Sequence, residues 1–230
     1  MSIFDEDSGY ANGLAIDKSN NIWYARHDSK VSYRNENGDE TIAVSLYQGK
    51  RLNSPNDIVV SKDGSIWFTD PNFGISFKGF GPELREDEQP SRGIYQLKDG
   101  KLHLKDESFT LPNGIAFSID EKFLYVAESA DGTVYRFDFD GNNISNKTPF
   151  AMVESGKDVK PMADGIKVDQ KGNLYVSAGP GGFAIFSPKG EQLKHFSVDS
   201  DFVSNIAIGG EHNDKLMVTG QQKVFLYDMD

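Results

Sequence analysis

An all-β fold is predicted for this chain: a β-propeller of five four-stranded blades closed by the N-terminal strand. Three observations predict it. One phrase of polar turn, apolar strand, Asp/Asn/Gly turn and apolar strand occurs five times. Apolar and polar residues alternate over short runs, the mark of a half-buried strand, and no segment has helical periodicity. The 23 glycines and 12% aromatic content suit pleated strands joined by many tight turns.

The five copies are YANGLAIDKSNNIWYARH from Tyr10, SPNDIVVSKDGSIWFTDP from Ser54, LPNGIAFSIDEKFLYVAES from Leu111, MADGIKVDQKGNLYVSAG from Met162 and VSNIAIGGEHNDKLMVTG from Val203. Their polar starts, Asn12, Asn56, Asn113, Asp164 and Ser204, are 44, 57, 51 and 40 residues apart. After each of the first four comes a third strand (KVSYRNENG, RGIYQLKDG, GTVYRFDFDG, GFAIFSPKG) and a fourth stretch leading to the next copy. Four short strands every ~40–50 residues is the propeller period. The repeats fall at about 9–52, 53–108, 109–161, 162–201 and 202–230, with 1–8 joining the last, in one domain spanning 1–230. The fifth copy ends after NIAIGG, KLMVTG and KVFLYDM, so Ser2–Phe4 is expected to supply its fourth strand and remove an exposed sheet edge. The alternative is an incomplete six-bladed propeller completed by a dimer; a monomer is expected.

A net charge of -11 argues against nucleic acid and anionic membrane as partners. With no cysteine there is neither a disulfide framework nor a thiolate ligand. The N-terminal MSIFDEDSGY lacks the basic and apolar regions of a secretory leader, so a cytoplasmic location is expected.

In a blade the innermost strand begins where the antiparallel second strand ends. The five polar starts and the second-strand ends His27, Asp70, Glu128 and Ser177 are therefore expected on one rim. The two largest insertions, 71–92 and 149–162, leave from the same side, where loops on a rigid scaffold build or cover sites. Asn12, Asn56, Asp57 and Asp70 are candidates to bind substrate, with ordinary turn chemistry as the other reading of Asn12, Asp57 and Asp70. His27 is a candidate acid or base because its pKa lies near neutrality, or else a surface residue. His103, His195 and His212 have no ligand spacing, so no zinc motif is read.

The phrases LNSPNDIVV…DGSIWFTDP, LPNGIAFS…LYVAES and ADGIKVD…GNLYVSAG…GG resemble the gluconolactonase branch of the SMP-30/gluconolactonase/LRE-like family, and the resemblance covers nearly the whole chain. It implies a propeller hydrolysing sugar or related lactones with one divalent cation, calcium first and Mg2+ or Zn2+ as alternatives. It carries Asn113 and Asp164 over as metal ligands and Asn56 as a substrate-facing residue. The family's first repeat, whose Glu-Gly-Pro phrase supplies a third protein ligand, has no counterpart here. Glu128 is the expected substitute ligand, or else a solvated rim charge. The expected chemistry is lactone opening by activated water, with Asp164, Glu128 and His27 as catalytic candidates. The other readings are a carbohydrate or small-molecule binding module without activity, and a different hydrolase such as a glycosidase.

Overall fold

The computed structural model describes residues 7–154 and 160–229. The chain divides into two compact units, Met1–Phe109 and Thr110–Asp230. The expected closing strand at Ser2–Phe4 lies outside the described residues, as does part of the second insertion.

In the first unit, strands β1 (Ala11–Ile16), β2 (Ile22–Arg26), β3 (Lys30–Arg34) and β4 (Glu40–Val44) form an antiparallel sheet in chain order. A small hairpin not foreseen from the sequence, β5 (Leu46–Tyr47) with β6 (Lys50–Arg51), turns on Gln48 and Gly49, both at positive φ. The second sheet contains β7 (Ile58–Val60), β8 (Ile66–Asp70), β9 (Arg92–Lys98) and β10 (Lys101–Phe109), each paired with its chain neighbour. Between β8 and β9 the long insertion holds one helical turn, α1 (Phe73–Ser76). The two sheets share a core of Ala25, Val31, Leu52, Ile58, Ile66, Phe68 and Tyr95, with Phe68 stacked on Tyr95 at 5.4 Å.

The second unit repeats the pattern three times. Its sheets are β11 (Pro112–Phe117) to β14 (Ile144–Met152) through β12 (Phe123–Glu128) and β13 (Thr133–Phe139), then β15 (Ile166–Val168) to β18 (Gln192–Phe196) through β16 (Leu174–Ser177) and β17 (Phe183–Phe186). The last, β19 (Val203–Gly209), β20 (Lys215–Gly220) and β21 (Val224–Asp228), has three strands among the described residues. Strand β14 takes in the first residues of the second insertion.

The short turns on the side away from the polar starts are Asx turns. Asp17 accepts the amides of Ser19 and Asn21 at 2.8 and 3.0 Å. Asp169 accepts those of Lys171 and Asn173, both at 2.8 Å. Each carboxylate replaces backbone partners lost where the chain reverses.

The polar starts of the phrase are not turn residues. In β1, β11 and β19 the register with the second strand slips at Asn12–Gly13, Asn113–Gly114 and Ser204, so each inner strand carries one extra residue, a bulge that re-aims its side chain. The glycines that follow Asn12, Asn113 and Asp164 have no positive φ; they are there for space. A Cβ on Gly114 would lie 2.7 Å from the backbone nitrogen of Ile166, and one on Gly165 would lie 2.9 Å from Cα of Asn205. Backbone cannot yield as a side chain can, so Gly114→Ala and Gly165→Ala should each cost about 1–3 kcal/mol in denaturant unfolding. Gly209→Ala, where a Cβ meets nothing within 4 Å, should stay within about 0.5 kcal/mol. Equal midpoints for all three would remove close strand approach as the reason for these glycines.

Candidate active site

Bulged inner strands bring the polar starts of each unit beside the second-strand ends. In the first unit Asn12, His27 and Asn56 form one cluster. His27 Nδ1 lies 2.8 Å from the Phe80 carbonyl, which can only accept, so Nδ1 carries the proton and Nε2 is bare. Nε2 then accepts from the Nδ2 groups of Asn12 at 2.9 Å and Asn56 at 3.3 Å. The two amides are held with their Oδ1 atoms turned from the ring. Only 4% exposed, His27 is no surface residue. Burial pushes its pKa below the ordinary 6.5, partly offset by the Phe80 carbonyl, so the ring is neutral. Its one lone pair is already engaged, which suits an orienting group better than a free base.

The insertion is pinned over this cluster from both ends. Asn53 Nδ2 donates to the carbonyls of Asp70 at 3.4 Å and Ser91 at 3.3 Å, the two feet of the loop. From inside the loop, Arg85 reaches Ser29 Oγ, and the Leu52 and Asn53 carbonyls, at 2.7, 2.6 and 3.1 Å. Gln89 Nε2 donates to the carbonyls of Tyr47, Lys50 and Arg51 at 3.1, 2.9 and 3.0 Å. A polar cleft of about 540 Å³ opens beside the loop, lined by Asn72, Arg85, Asp87 and Arg92. Arg51, near Asn56 in sequence, is instead paired with Glu83 and Glu88 on the surface.

Asp57 and Asp70 are both buried. Asp57 Oδ1 accepts its neighbour Ile58 N–H at 2.9 Å. Asp70 Oδ2 accepts the Asn53 N–H at 2.9 Å, while Oδ1 has no hydrogen-bond partner among the described residues. Burial pushes the Asp70 carboxyl up to about 7, against the pull of the Asn53 and Ser54 amides and of Arg85.

In the second unit Asn113 Nδ2 donates to Ser129 Oγ at 3.0 Å, and Ser129 Oγ donates on to the Ala163 carbonyl at 2.7 Å. This relay fixes the Asn113 amide and turns its Oδ1 away from Ser129. Asp164, half-buried, follows Ala163 on the neighbouring strand, where Gly114 N–H donates to the Asp164 carbonyl at 3.2 Å. Glu128 is 5% exposed rather than a solvated rim charge. Its carboxylate accepts three backbone amides, Thr110 and Leu111 at 2.7 Å and Ala130 at 3.0 Å, and so latches the entry to β11. Ser177 Oγ is likewise spent on the carbonyls of Gly165 and Ser204 at 3.0 Å each.

The donor chemistry of this second group suits a hard cation: an amide oxygen of Asn113 and the carboxylate of Asp164. No three His, Cys, Asp or Glu side chains converge among the described residues, so any such site relies on neutral oxygens beside Asp164. A cation at Glu128 would have to displace the three amides it accepts. Sequence reasoning missed Asn53, Arg85, Gln89 and Ser129, whose long-range partners lie 16 to 56 residues away. Ser129 alone left a trace, since it directly follows the Glu128 that ends β12.

These sheets define a class, the all-β propeller with five antiparallel blades. The chain matches the SMP-30/Gluconolactonase/LRE-like region over residues 30–222, and it belongs to that family. It is 30% identical over 246 aligned residues to a gluconolactonase of Zymomonas mobilis, covering 97% of this chain and 68% of that enzyme. A solved structure described as a gluconolactonase from Xanthomonas campestris superposes with a TM-score of 0.88 at 30% identity, over 96% of this chain and 73% of that one. A calcium-binding protein, regucalcin from Agrobacterium tumefaciens, shares the fold at a TM-score of 0.69 and 21% identity, over 91% and 68% of the two chains.

Asp70 gives a pH test. The unfolded chain releases its proton near 3.8 and the folded chain near 7. Between these values the folded state holds more protons, so this contribution to stability is full below about 4, falls as pH rises and is lost above about 7. Asp70→Asn keeps a neutral acceptor there and removes the slope. Relative to wild type, the variant should gain up to about 4 kcal/mol between pH 4 and 7 in urea melts. Parallel stability profiles would show that Asp70 is already ionised at low pH.

Proposed function

We propose that the chain is a lactone hydrolase, opening a sugar or related lactone, with the Asn113–Asp164 pair as its centre. The observation that carries this is the relay Asn113–Ser129–Ala163, which fixes the Asn113 amide and ends on the residue before half-buried Asp164. The gluconolactonases it resembles supply the reaction class. Asn113 Oδ1 and the Asp164 carboxylate would hold a divalent cation, calcium first because both donors are hard oxygens. When bound, such an ion polarises a carbonyl and acidifies water.

The residues of the chain supply the rest. Asp164 takes the proton of the attacking water as the water oxygen bonds to the lactone carbonyl carbon. The ring C–O bond then breaks, and the leaving alkoxide recovers a proton to give the hydroxy acid. Ser129 keeps Asn113 from rotating. In the first unit, the amides of Asn12 and Asn56, oriented by His27, have the chemistry to bind sugar hydroxyls. A glycosidase reading would need two available carboxyl groups. Glu128 and Asp70 are each committed to backbone amides and buried, which favours the lactonase reading.

Calcium titration calorimetry on chelator-stripped protein, with gluconolactone opening followed by acid release, tests both parts. Asp164→Ala should abolish calcium heat and slow the reaction by about 10²–10⁴-fold, the usual size of a lost general base. Ser129→Ala should weaken calcium binding without removing the base. Full activity in Asp164→Ala would overturn the assignment, and calcium heat unchanged in that variant would move the cation elsewhere.

A further inference from the structure

Consecutive sheets within each unit pack through one repeated contact. The apolar residue two places after the polar start sits against the preceding sheet: Ile58 clusters with Ala25 and Val31, Ile166 with Ala127 and Val134, and Ile206 with Tyr175, Phe183 and Ile185. These three isoleucines are 2%, 0% and 2% exposed. On the receiving face, the third-strand residues Val31, Val134 and Phe183 are 0%, 0% and 1% exposed.

At the first and last sheets the same positions are bare. Leu14, which matches Ile58, is 54% exposed, and Ile16 beside it 66%. On the last sheet Val224 matches Phe183 by its pairing with Thr219, as Phe183 pairs with Ser177, and it is 55% exposed. Leu226, opposite Met217 as Ile185 is opposite Tyr175, is 68% exposed; Met217 itself is 40% exposed. The first sheet thus shows the inserting half of the contact and the last sheet the receiving half. Apolar residues clustered in this way on a surface mark an interface.

We propose that the Met217–Val224–Leu226 face of one copy of this chain receives the Leu14–Ile16 face of a second copy, head to tail. The occupant is a second copy because this chain carries both halves of a contact it already makes between its own consecutive sheets. The matched register positions make the two faces counterparts of the internal contact, and both are apolar. Such a contact is heterologous, so a closed ring or a growing chain follows from the rotation between copies. The monomer expected from sequence then gives way to association through these faces.

Light scattering after size exclusion, over about a hundredfold range of concentration, tests this. Wild type should rise above the 25.5 kDa monomer as concentration rises. Leu14→Asp and Leu226→Asp change exposed side chains, so each should keep the wild-type circular dichroism and stay monomeric. Their equimolar mixture should give a 1:1 complex of twice the monomer mass, because each variant keeps the half the other has lost. The chain has no cysteine, so Leu14→Cys mixed with Leu226→Cys should also be joined by a short thiol crosslinker while neither variant joins to itself. Wild type monomeric at every concentration would overturn the proposal; the bare faces would then be closed within one chain or by residues of a longer protein. Self-association of Leu226→Asp alone would overturn it too, since a symmetric contact between Leu14 faces would then be at work.

Discussion

One backbone contact, repeated, fixes where the polar starts stand. In β1, β11 and the strand leading to β15, the glycine after the polar start donates its N–H to the carbonyl of the next polar start: Gly13 to Asn56 at 2.7 Å, Gly114 to Asp164 at 3.2 Å and Gly165 to Ser204 at 3.0 Å. Inner strands this close leave no room for a Cβ at Gly114 or Gly165. Each bond also registers one polar residue against the next. The side chains are thus placed by main-chain geometry, whose error is small, rather than by long side chains that must be ordered at an entropic cost.

What stands on that frame differs between the units in kind. The first presents amides oriented by a neutral imidazole, a set built for hydrogen bonds to neutral ligands. The second holds an Asn113 amide fixed by Ser129, next to the stretch that carries Asp164, and both side chains offer hard oxygen donors. Burial separates the carboxylates further. Asp70 is driven toward its neutral form, Glu128 is spent on three amides, and Asp164 is half-buried. A candidate base has to be reachable and ionised, and among these three only Asp164 has the exposure for it.

The five blades and their strands were legible in the sequence because they are local: alternation, turn chemistry and spacing all lie within one phrase. Turn chemistry is the alternative the sequence offers for Asn12, and the structure gives the glycines after Asn12, Asn113 and Asp164 a different role, close approach of a stretch about 40–50 residues on. The surface readings of His27 and Glu128 fail for a related reason. A residue that ends a strand reads as solvent-facing unless the loop that covers it can be foreseen, and here Phe80 and the Thr110–Leu111 amides do the covering. Asn53 was invisible for the same cause, since its value lies in tying Asp70 to Ser91 across a loop of 20 residues.

The loop over His27 shows how little is needed to turn a surface histidine into a fixed one. Its tips, Phe77, Phe80 and Leu84, stay exposed, so burial of apolar side chains there does not hold it down. Polar bonds do, and most run from a side chain to main-chain carbonyls: Asn53 at the feet, Arg85 and Gln89 within, and His27 to Phe80. Bonds to the main chain tolerate change in the partner's side chain, so the loop can vary at its tips while its base stays in register. The same bonds make the imidazole's tautomer a property of the loop. With Phe80 accepting from Nδ1, Nε2 must face Asn12 and Asn56 as an acceptor, and both amides must offer it their nitrogens. Which atoms the Asn12 and Asn56 amides turn toward the ring is therefore decided by a carbonyl 53 residues from the histidine.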